Sequence, residues 1–124
     1  MNTLEKDLWR LIKDHLPGEV ERIENLVGGG MPDVNGTDGL DYWVELKVCR
    51  TKTKKTPAEL CEPLQLRWHA ARATVGANVF VLIRHKDGEL ELWRRVEREY
   101  EKCWCGRKPF DWTEFRTSLV HATF

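Results

Sequence analysis

Two short strings of this sequence carry side chains that are suited to hydrolysing a phosphodiester bond. The first is GMPD at residues 30–33, and the second is ELK at residues 45–47. Hydrolysis needs an activated water and stabilisation of negative charge on the phosphate, and a divalent cation supplies both. Hard cations such as Mg²⁺ prefer carboxylate oxygens. We therefore predict that Asp33 and Glu45 hold one Mg²⁺ or Mn²⁺ ion, with the carbonyl of Leu46 as a further ligand.

A β-strand over residues 41–48 would place the second carboxylate and the lysine on one surface. Its side chains alternate, with one face made by Tyr42, Val44, Leu46 and Val48 and the other by Trp43, Glu45 and Lys47. From that shared face, the ammonium of Lys47 can polarise the attacking water or stabilise the charge that develops on the phosphate. Asp33, Glu45 and Lys47 are therefore the predicted catalytic centre.

Each string alone also has an ordinary structural explanation. A Glu-x-Lys pair in a strand is often an exposed ion pair of little energetic value, and a Pro-Asp pair is common in turns. The context favours chemistry in three ways. The Pro-Asp pair follows three consecutive glycines, the interval from Asp33 to Glu45 suits one hairpin, and a basic loop at residues 50–56 precedes a helix.

Periodicity and turn residues predict the elements that position these side chains. The first is a helix at residues 4–15, capped by Thr3. The others are strands at 19–27 and 32–35, a turn at 36–39, the strand at 41–48, a helix at 62–75, strands at 79–84 and 89–95, and a helix at 97–102. The 62–75 helix is expected to bury Leu64, Trp68, Ala71 and Val75. The tail from residue 103 is expected to be ordered, but its place stays open.

This order of elements predicts an α/β domain with a small mixed sheet. If the strands at Val44 and Val79 are parallel, their connection should be a right-handed crossover. The 124 residues fit a single domain, with a core over about 4–95 and a C-terminal extension over 96–124.

The charge distribution indicates a local nucleic-acid surface rather than a basic protein. The formal net charge is zero, from 20 basic and 20 acidic residues, so only clustering is informative. We predict phosphate contacts for Arg50, Lys52, Lys54, Lys55, Arg67 and Arg72. A solvated flexible loop is the alternative for residues 50–56. No motif that reads base edges is visible, which favours structure-directed or weakly specific cutting of DNA.

The sequence predicts a cytoplasmic protein with reduced cysteines. No apolar run is long enough to span a bilayer, and the first residues have no apolar segment typical of a signal peptide. Reduced thiols are therefore expected. Cys103, Cys105 and His121 are a weak candidate zinc-ligand set, and two partly buried thiols are the better-supported interpretation. Core packing is the expected role of most of the six tryptophans.

The strings resemble those of the virus-type replication–repair nucleases, the VRR-NUC domains of the PD-(D/E)XK superfamily. Members carry a G-x-P-D string, a later (D/E)-x-K strand, and a helix with a glutamine near its start. The matching residues are Gly30, Pro32, Asp33, Glu45, Lys47 and Gln65, and Gly76 precedes an apolar strand as in the family. The resemblance covers roughly residues 4–85. The small size is similar to phage-encoded members, and the layout is similar to Holliday junction resolvases.

The resemblance implies a restriction-endonuclease-like fold and Mg²⁺- or Mn²⁺-dependent cutting of DNA, often branched or flapped. It implies a metal-binding glutamate on the first helix, for which Glu5 is the natural candidate and Glu24 a rival. The ordinary role of Glu5 is to favour the helix dipole. Gln65 would position Lys47 or the water, or else be an exposed helix residue.

Two further expectations come with the likeness to resolvases. A homodimer is expected, because cutting two strands symmetrically requires two active sites. The alternative function is a non-catalytic DNA-binding module on the same fold, which clustered carboxylates beside phosphates disfavour. A protein-interaction domain with a tryptophan-rich surface is the third possibility.

Overall fold

A computed structural model describes residues 2–23 and 29–121. In chain order the elements are α1 (Thr3–Ile12), β1 (Glu19–Arg22), β2 (Val34–Asp38), β3 (Leu40–Val48), α2 (Pro57–Leu60), α3 (Pro63–Thr74), β4 (Asn78–Arg84), β5 (Leu90–Val96), β6 (Glu99–Gly106) and α4 (Trp112–His121). A short 3₁₀ helix, Lys13–His15, follows α1. Across the described residues, no helix is both long and apolar enough to cross a membrane.

The strands of the described residues form one six-stranded sheet, in which each strand lies beside its neighbours in sequence. β3 and β4 are parallel, and the other neighbouring pairs are antiparallel. Parallel strands require a crossover connection, and here it contains α2 and α3. The predicted small mixed sheet flanked by helices is therefore confirmed. The handedness of the crossover stays a prediction.

The predicted hairpin joins β2 to β3, but its turn is tighter than the sequence suggested. Val34 pairs with Val44 and Asp38 pairs with Leu40, so the turn is made at Gly39, which has φ +79°. Only glycine adopts that backbone angle without a steric penalty. The strand predicted at 32–35 consequently begins later and runs further than expected, to Asp38.

Gly36, which was predicted to lie in the turn, belongs to β2 instead. A Cβ atom at this position would overlap the ring of Tyr42. The Tyr42 hydroxyl reaches past the glycine and donates a 2.6 Å hydrogen bond to the carbonyl of Pro17. This contact ties the end of the first helical segment to β3.

The strand predicted at 19–27 is confirmed for Glu19–Arg22. Ile23 continues the ladder with one hydrogen bond, in which its N–H donates to the Asp33 carbonyl at 2.7 Å. Residues 24–28, which include Glu24, lie outside the described residues.

The two faces of the sheet carry different cores. One face packs against α1 and α4, and its buried residues include Leu8, Ile12, Val34, Val44, Leu46, Phe80, Phe115 and Leu119. The opposite face carries a smaller cluster of Cys49, Cys61, Val81 and Ile83, against which Leu60 and Leu66 pack. The alternation predicted for β3 is confirmed, because Leu46 belongs to the first core while Glu45 contacts α3.

The first helix begins one residue earlier than predicted, because Asn2 rather than Thr3 is its N-cap. The side-chain oxygen of Asn2 accepts from the Glu5 N–H at 2.8 Å, and the Glu5 carboxylate accepts from the Asn2 N–H at 3.3 Å. Such a reciprocal capping box satisfies two N–H groups that the helix leaves unpaired. The α-helix ends at Ile12, where the 3₁₀ helix begins.

The prediction of the buried face of α3 is wrong. Leu64 is 50% exposed and Val75 is 78% exposed, whereas His69 is fully buried. The sheet beneath this helix carries the carboxylate of Glu45, so a polar side chain faces inward. Trp68 is partly buried and meets the ring of Trp43 edge-on, with 5.1 Å between centroids.

The segment after β5 completes the sheet and its first core. Residues 97–102 were predicted to be helical, and this is wrong, because the chain turns at Glu97 (φ 52°) and enters β6. From α4, Phe115 packs on Trp104 with 5.0 Å between ring centroids, and Leu119 is buried beside it. The tail therefore contributes a strand and a helix to the same structure.

Candidate active site

Asp33 and Glu45 lie opposite each other at the start of β2. Val34 pairs with Val44 in antiparallel strands. Asp33, just before Val34, and Glu45, just after Val44, therefore lie side by side. Oδ2 of Asp33 accepts a 2.8 Å hydrogen bond from the main-chain N–H of Leu46. The two carboxyl groups are themselves in hydrogen-bonding contact. The hairpin thus brings together the two carboxylates that were predicted to bind metal.

The electrostatics of this pair favour a bound cation. Burial raises the pKa of Asp33 and of Glu45 above the ordinary carboxyl range, and the charge of Glu45 raises the pKa of Asp33 further. Glu45 is only 1% exposed. Two buried carboxylates in contact cannot both ionise without a large cost, so the metal-free pair retains a proton to a higher pH than separate carboxyl groups would.

Two side chains of α3 lie against Glu45. Nε2 of Gln65 donates to Oε2 of Glu45 at 3.3 Å, and Nε2 of His69 lies 3.4 Å from Oε1. The other nitrogen of His69 is hydrogen-bonded to the Tyr100 hydroxyl at 2.7 Å. Burial lowers the pKa of His69 to about 4, helped by the positive charge of Arg95, so the imidazole is neutral. The geometry from His69 to Oε1 does not make a hydrogen bond, and this oxygen has no partner.

The residues present fit a hard divalent cation. A buried carboxylate oxygen without a hydrogen-bond partner, beside a second carboxylate, is a donor set suited to Mg²⁺ or Mn²⁺. Within residues 2–23 and 29–121, no three His, Cys, Asp or Glu side chains cluster as a metal site. Asp33 and Glu45 would therefore be the side-chain ligands, with carbonyl and water oxygens completing the coordination.

Glu5 lies in the first turn of α1, which agrees with its ordinary role at a helix N-terminus. Its carboxylate closes the capping box of α1 through the Asn2 N–H. Burial raises its pKa, and the charge of Asp33 raises it further, which places the carboxylate within electrostatic reach of the candidate site. Its rival Glu24 lies outside the described residues. Glu5 as a metal ligand stays a prediction.

The positive charge of Lys47 acts on three carboxyl groups of the candidate site. Its positive charge opposes the raised pKa of Glu5, Asp33 and Glu45. The side chain is partly buried on the face of β3 that carries Glu45. It is therefore placed to act on a water or phosphate held beside the carboxylate pair.

Comparison with known proteins addresses the fold. No family model and no curated protein matches the chain. Among solved structures, the chain is similar to Hjc, a Holliday junction resolvase of the archaeal hyperthermophile Archaeoglobus fulgidus. The TM-score is 0.53 and the identity is 16%, over 99% of this chain and 100% of that chain. The fold is restriction-endonuclease-like.

On this resolvase-like fold the basic loop follows β3 directly. Arg50 and Lys52 are exposed, and Lys55 is partly buried. Lys54 is already paired, since its ammonium lies 2.6 Å from Glu89 Oε1 and 3.6 Å from Asp87 Oδ2. Of the loop residues predicted to contact DNA, exposed Arg50 and Lys52 are therefore better candidates for phosphate contacts than Lys54.

The two arginines predicted to extend this surface lie on α3. Arg67 is exposed, whereas the guanidinium of Arg72 covers the ring of Trp68 at 5.0 Å from its centroid. Arg72 is nevertheless exposed. Both arginines thus remain candidates for phosphate contact.

Sequence reasoning missed His69 and Tyr100. A signal existed for His69, because it follows Gln65 by four residues and so lies on the same helix face. Tyr100 reaches the site only through the pairing of β6 with β5, which the sequence did not predict.

The weak zinc-ligand set gains no support from the described residues. Sγ of Cys103 donates to the carbonyl of Leu92 at 3.4 Å, and burial raises its pKa to about 11. Cys105 is exposed, and the side chain of His121 lies outside the described part of the chain.

Proposed function

We propose that this protein is a Mg²⁺- or Mn²⁺-dependent DNA endonuclease of the PD-(D/E)XK type, similar to the VRR-NUC domains. The observation that carries the proposal is the contact between Asp33 and Glu45, with Lys47 on the same face, in a resolvase-like fold. A purely structural role would not account for two buried carboxyl groups in contact, because each raises the cost of ionising the other.

The residues of the site divide the work of phosphodiester hydrolysis. Asp33 and Glu45 would bind the cation, which when present activates a water and neutralises phosphate charge. Lys47 would donate a hydrogen bond to the attacking water or to the phosphate oxygen on which charge develops. Gln65 donates to one oxygen of Glu45 and His69 lies against the other, so these two side chains limit the rotation of the carboxylate.

The proposed substrate is branched, flapped or junction DNA, cut in replication, recombination or repair. The resolvase with the similar fold is described as acting on Holliday junctions. Exposed Arg50, Lys52 and Arg67 would contact phosphates, and such contacts position DNA without reading its sequence. Recognition by shape rather than by bases follows from this arrangement.

We also propose that the active form is a homodimer in the cytoplasm. A four-way junction is resolved by two symmetric cuts, which require two copies of the site. Light scattering at several protein concentrations, with and without junction DNA, measures the oligomeric state. A monomer under every condition would refute the dimer without affecting the proposed chemistry.

The decisive test is cleavage of labelled linear, flap, splayed and four-way-junction DNA with Mg²⁺ or Mn²⁺. Asp33→Asn and Lys47→Ala are compared with the exposed controls Asp14→Asn and Lys13→Ala from the 3₁₀ helix. Metal-dependent cutting that only the two site variants lose would support the proposal. Binding without cutting in either metal would favour the DNA-binding module, and cutting that survives both site variants would place the active site elsewhere.

A further inference from the structure

The side chain of Cys49 packs against the inner side of the basic loop at residues 50–56. It follows β3 directly and is 1% exposed. Its Sγ lies 3.4 Å from Oγ1 of Thr51, 3.8 Å from the Thr51 carbonyl and 3.6 Å from the Thr53 carbonyl. Both threonines are exposed, so a single layer of loop separates the sulfur from solvent.

A buried histidine and glutamate lie beside this thiol. His85 is 3% exposed and Glu91 is 5% exposed, and Nε2 of His85 lies 2.6 Å from Oε1 of Glu91. The Glu91 carboxylate also accepts from Trp93 Nε1 and from Lys102 Nζ, both at 3.2 Å. A carboxylate that accepts from two other donors stays ionised, so Nε2 of His85 carries the proton and donates it to Glu91.

The second nitrogen of His85 is then an acceptor. Nδ1 is buried and has no hydrogen-bond partner of its own. A buried polar atom without a partner needs a physical explanation. His85 and Cys49 line one cavity of about 450 Å³, whose rim includes the basic residues Arg50, Arg84 and Lys86. The histidine that carries the unpaired nitrogen and the cysteine thus line the same cavity.

Cys49 differs from the other buried thiols of the chain. Burial alone would raise its pKa, but interactions with Thr51, Lys55 and the side chain of His85 lower it to about 7. Burial raises the pKa of Cys61 to about 12 and that of Cys103 to about 11. Because the thiolate is the reactive form of cysteine, Cys49 is the reactive one of these three.

We propose that Cys49, His85 and Glu91 form a thiol site that reacts with hydroperoxides, and that oxidation of Cys49 releases the basic loop. Nδ1 of His85 accepts the thiol proton, and the thiolate sulfur attacks one peroxide oxygen. An S–O bond forms as the O–O bond breaks, and the leaving alkoxide, or hydroxide from hydrogen peroxide, takes the proton from His85 to become an alcohol or water. The sulfur loses two electrons, the peroxide gains them, and the product is a sulfenic acid.

Oxidation changes the loop because it moves the hydrogen-bond donor of Cys49 from the sulfur to the added oxygen. The thiol contacts Thr51 and Thr53 at hydrogen-bonding distances, so these contacts must rearrange. Arg50 and Lys52 move with them. The consequence for DNA binding rests on the proposed nuclease function, whereas the thiol chemistry does not.

The thiol chemistry is tested with hydrogen peroxide and dimedone, which traps sulfenic acids, followed by peptide mass mapping of the whole chain. Cys49 is expected to be labelled about fivefold faster than an ordinary exposed thiol, and Cys61 and Cys103 to stay unlabelled. His85→Gln keeps a donor for Glu91 but removes the basic nitrogen that takes the thiol proton, and should slow labelling of Cys49 about fivefold. Labelling of exposed Cys105 without Cys49 in the folded wild type would overturn the proposal, and this comparison needs no variant.

The consequence is tested by fluorescence anisotropy of labelled junction DNA in EDTA, before and after peroxide. Affinity is expected to fall about tenfold in the wild type, to recover with dithiothreitol, and to stay unchanged in Cys49→Ser. Labelled Cys49 with unchanged DNA affinity would overturn the release of the loop. Absent DNA binding before peroxide would instead count against the proposed function, while the labelling result still decides the thiol site.

Discussion

The main-chain N–H of Leu46 donates a 2.8 Å hydrogen bond to Oδ2 of Asp33. The donor belongs to β3 and the acceptor to the residue before β2, so one contact fixes both the hairpin and the carboxylate pair. A buried main-chain N–H needs a partner, and here that partner is a candidate metal ligand. Substitutions of Asp33 can therefore separate the loss of this bond from the loss of charge.

Asp33→Asn is expected to stabilise the metal-free protein while abolishing metal-dependent cleavage. Asparagine keeps an acceptor for the Leu46 N–H but removes the charge that opposes Glu45, a gain of roughly 1 kcal/mol near neutral pH. Urea denaturation in EDTA measures the difference. Asp33→Ala, which leaves the N–H unpaired, should be less stable than Asp33→Asn. An asparagine variant less stable than the wild type in EDTA would contradict the mutual repulsion.

The same pair predicts how stability depends on pH. Because burial raises the pKa of both carboxyl groups, the metal-free folded protein keeps a proton that the unfolded chain has lost. The free energy of unfolding should therefore fall as pH rises from about 4 through the raised pKa values, and stay low above them. Saturating Mg²⁺ should flatten this fall. Denaturation from acid to neutral pH is the measurement, and a wild-type slope in Asp33→Asn would refute the assignment to this pair.

The strand that carries the candidate site is predictable because the side chains of a strand alternate with a period of two. If residues 41–48 form a strand, Glu45 and Lys47 share a face, and the hairpin length places Asp33 opposite. Local sequence contains all of that information. The tight turn at Gly39 was misplaced because Gly36 also favours turns, and only packing against Tyr42 explains its place in β2.

The layer above the site was not predictable in the same way. On α3 the apolar residues mark a face that remains largely exposed, because the helix instead presents His69 to the buried Glu45. Tyr100 completes that contact from β6, a segment whose charged residues fit a helix as well as a strand. Long-range pairing decides such cases, and periodicity does not report it.

Tyr100→Phe is expected to weaken metal binding through His69. The change removes the partner of the buried His69 Nδ1, which should lower stability by about 1 kcal/mol. A less restrained imidazole holds Glu45 less well, so Mn²⁺ affinity should fall about tenfold in a calorimetric titration. Tyr42→Phe is the matched control, since it removes a hydroxyl bond to Pro17 away from the site. Equal metal affinities in the two variants would contradict the role given to Tyr100.

Gly30→Ala is expected to displace the start of the β2–β3 hairpin from α3. Gly30 has φ +73°, and a Cβ there would overlap the main chain of Leu64 and Gln65. The loss of stability should be about 2 kcal/mol or more, and cleavage should fall even where the variant is folded, because Gln65 holds Glu45. Gly88→Ala is the control, with φ +92° but open space around it, and should cost only about 1 kcal/mol. Full activity in folded Gly30→Ala would exclude a positioning role.

Lys52→Ala is expected to weaken DNA binding more than Lys54→Ala, although both lysines belong to the basic loop. Lys52 is exposed, whereas the ammonium of Lys54 is already neutralised by Glu89 at 2.6 Å and Asp87 at 3.6 Å. Each phosphate contact contributes about 1 to the slope of log affinity against log salt, so Lys52→Ala should reduce that slope by about 1 and Lys54→Ala by less. Anisotropy titrations with junction DNA over a range of salt, with Lys13→Ala as the control, provide the comparison. A larger effect of Lys54→Ala would mean that DNA displaces Glu89 and Asp87, and that the loop rearranges when DNA binds.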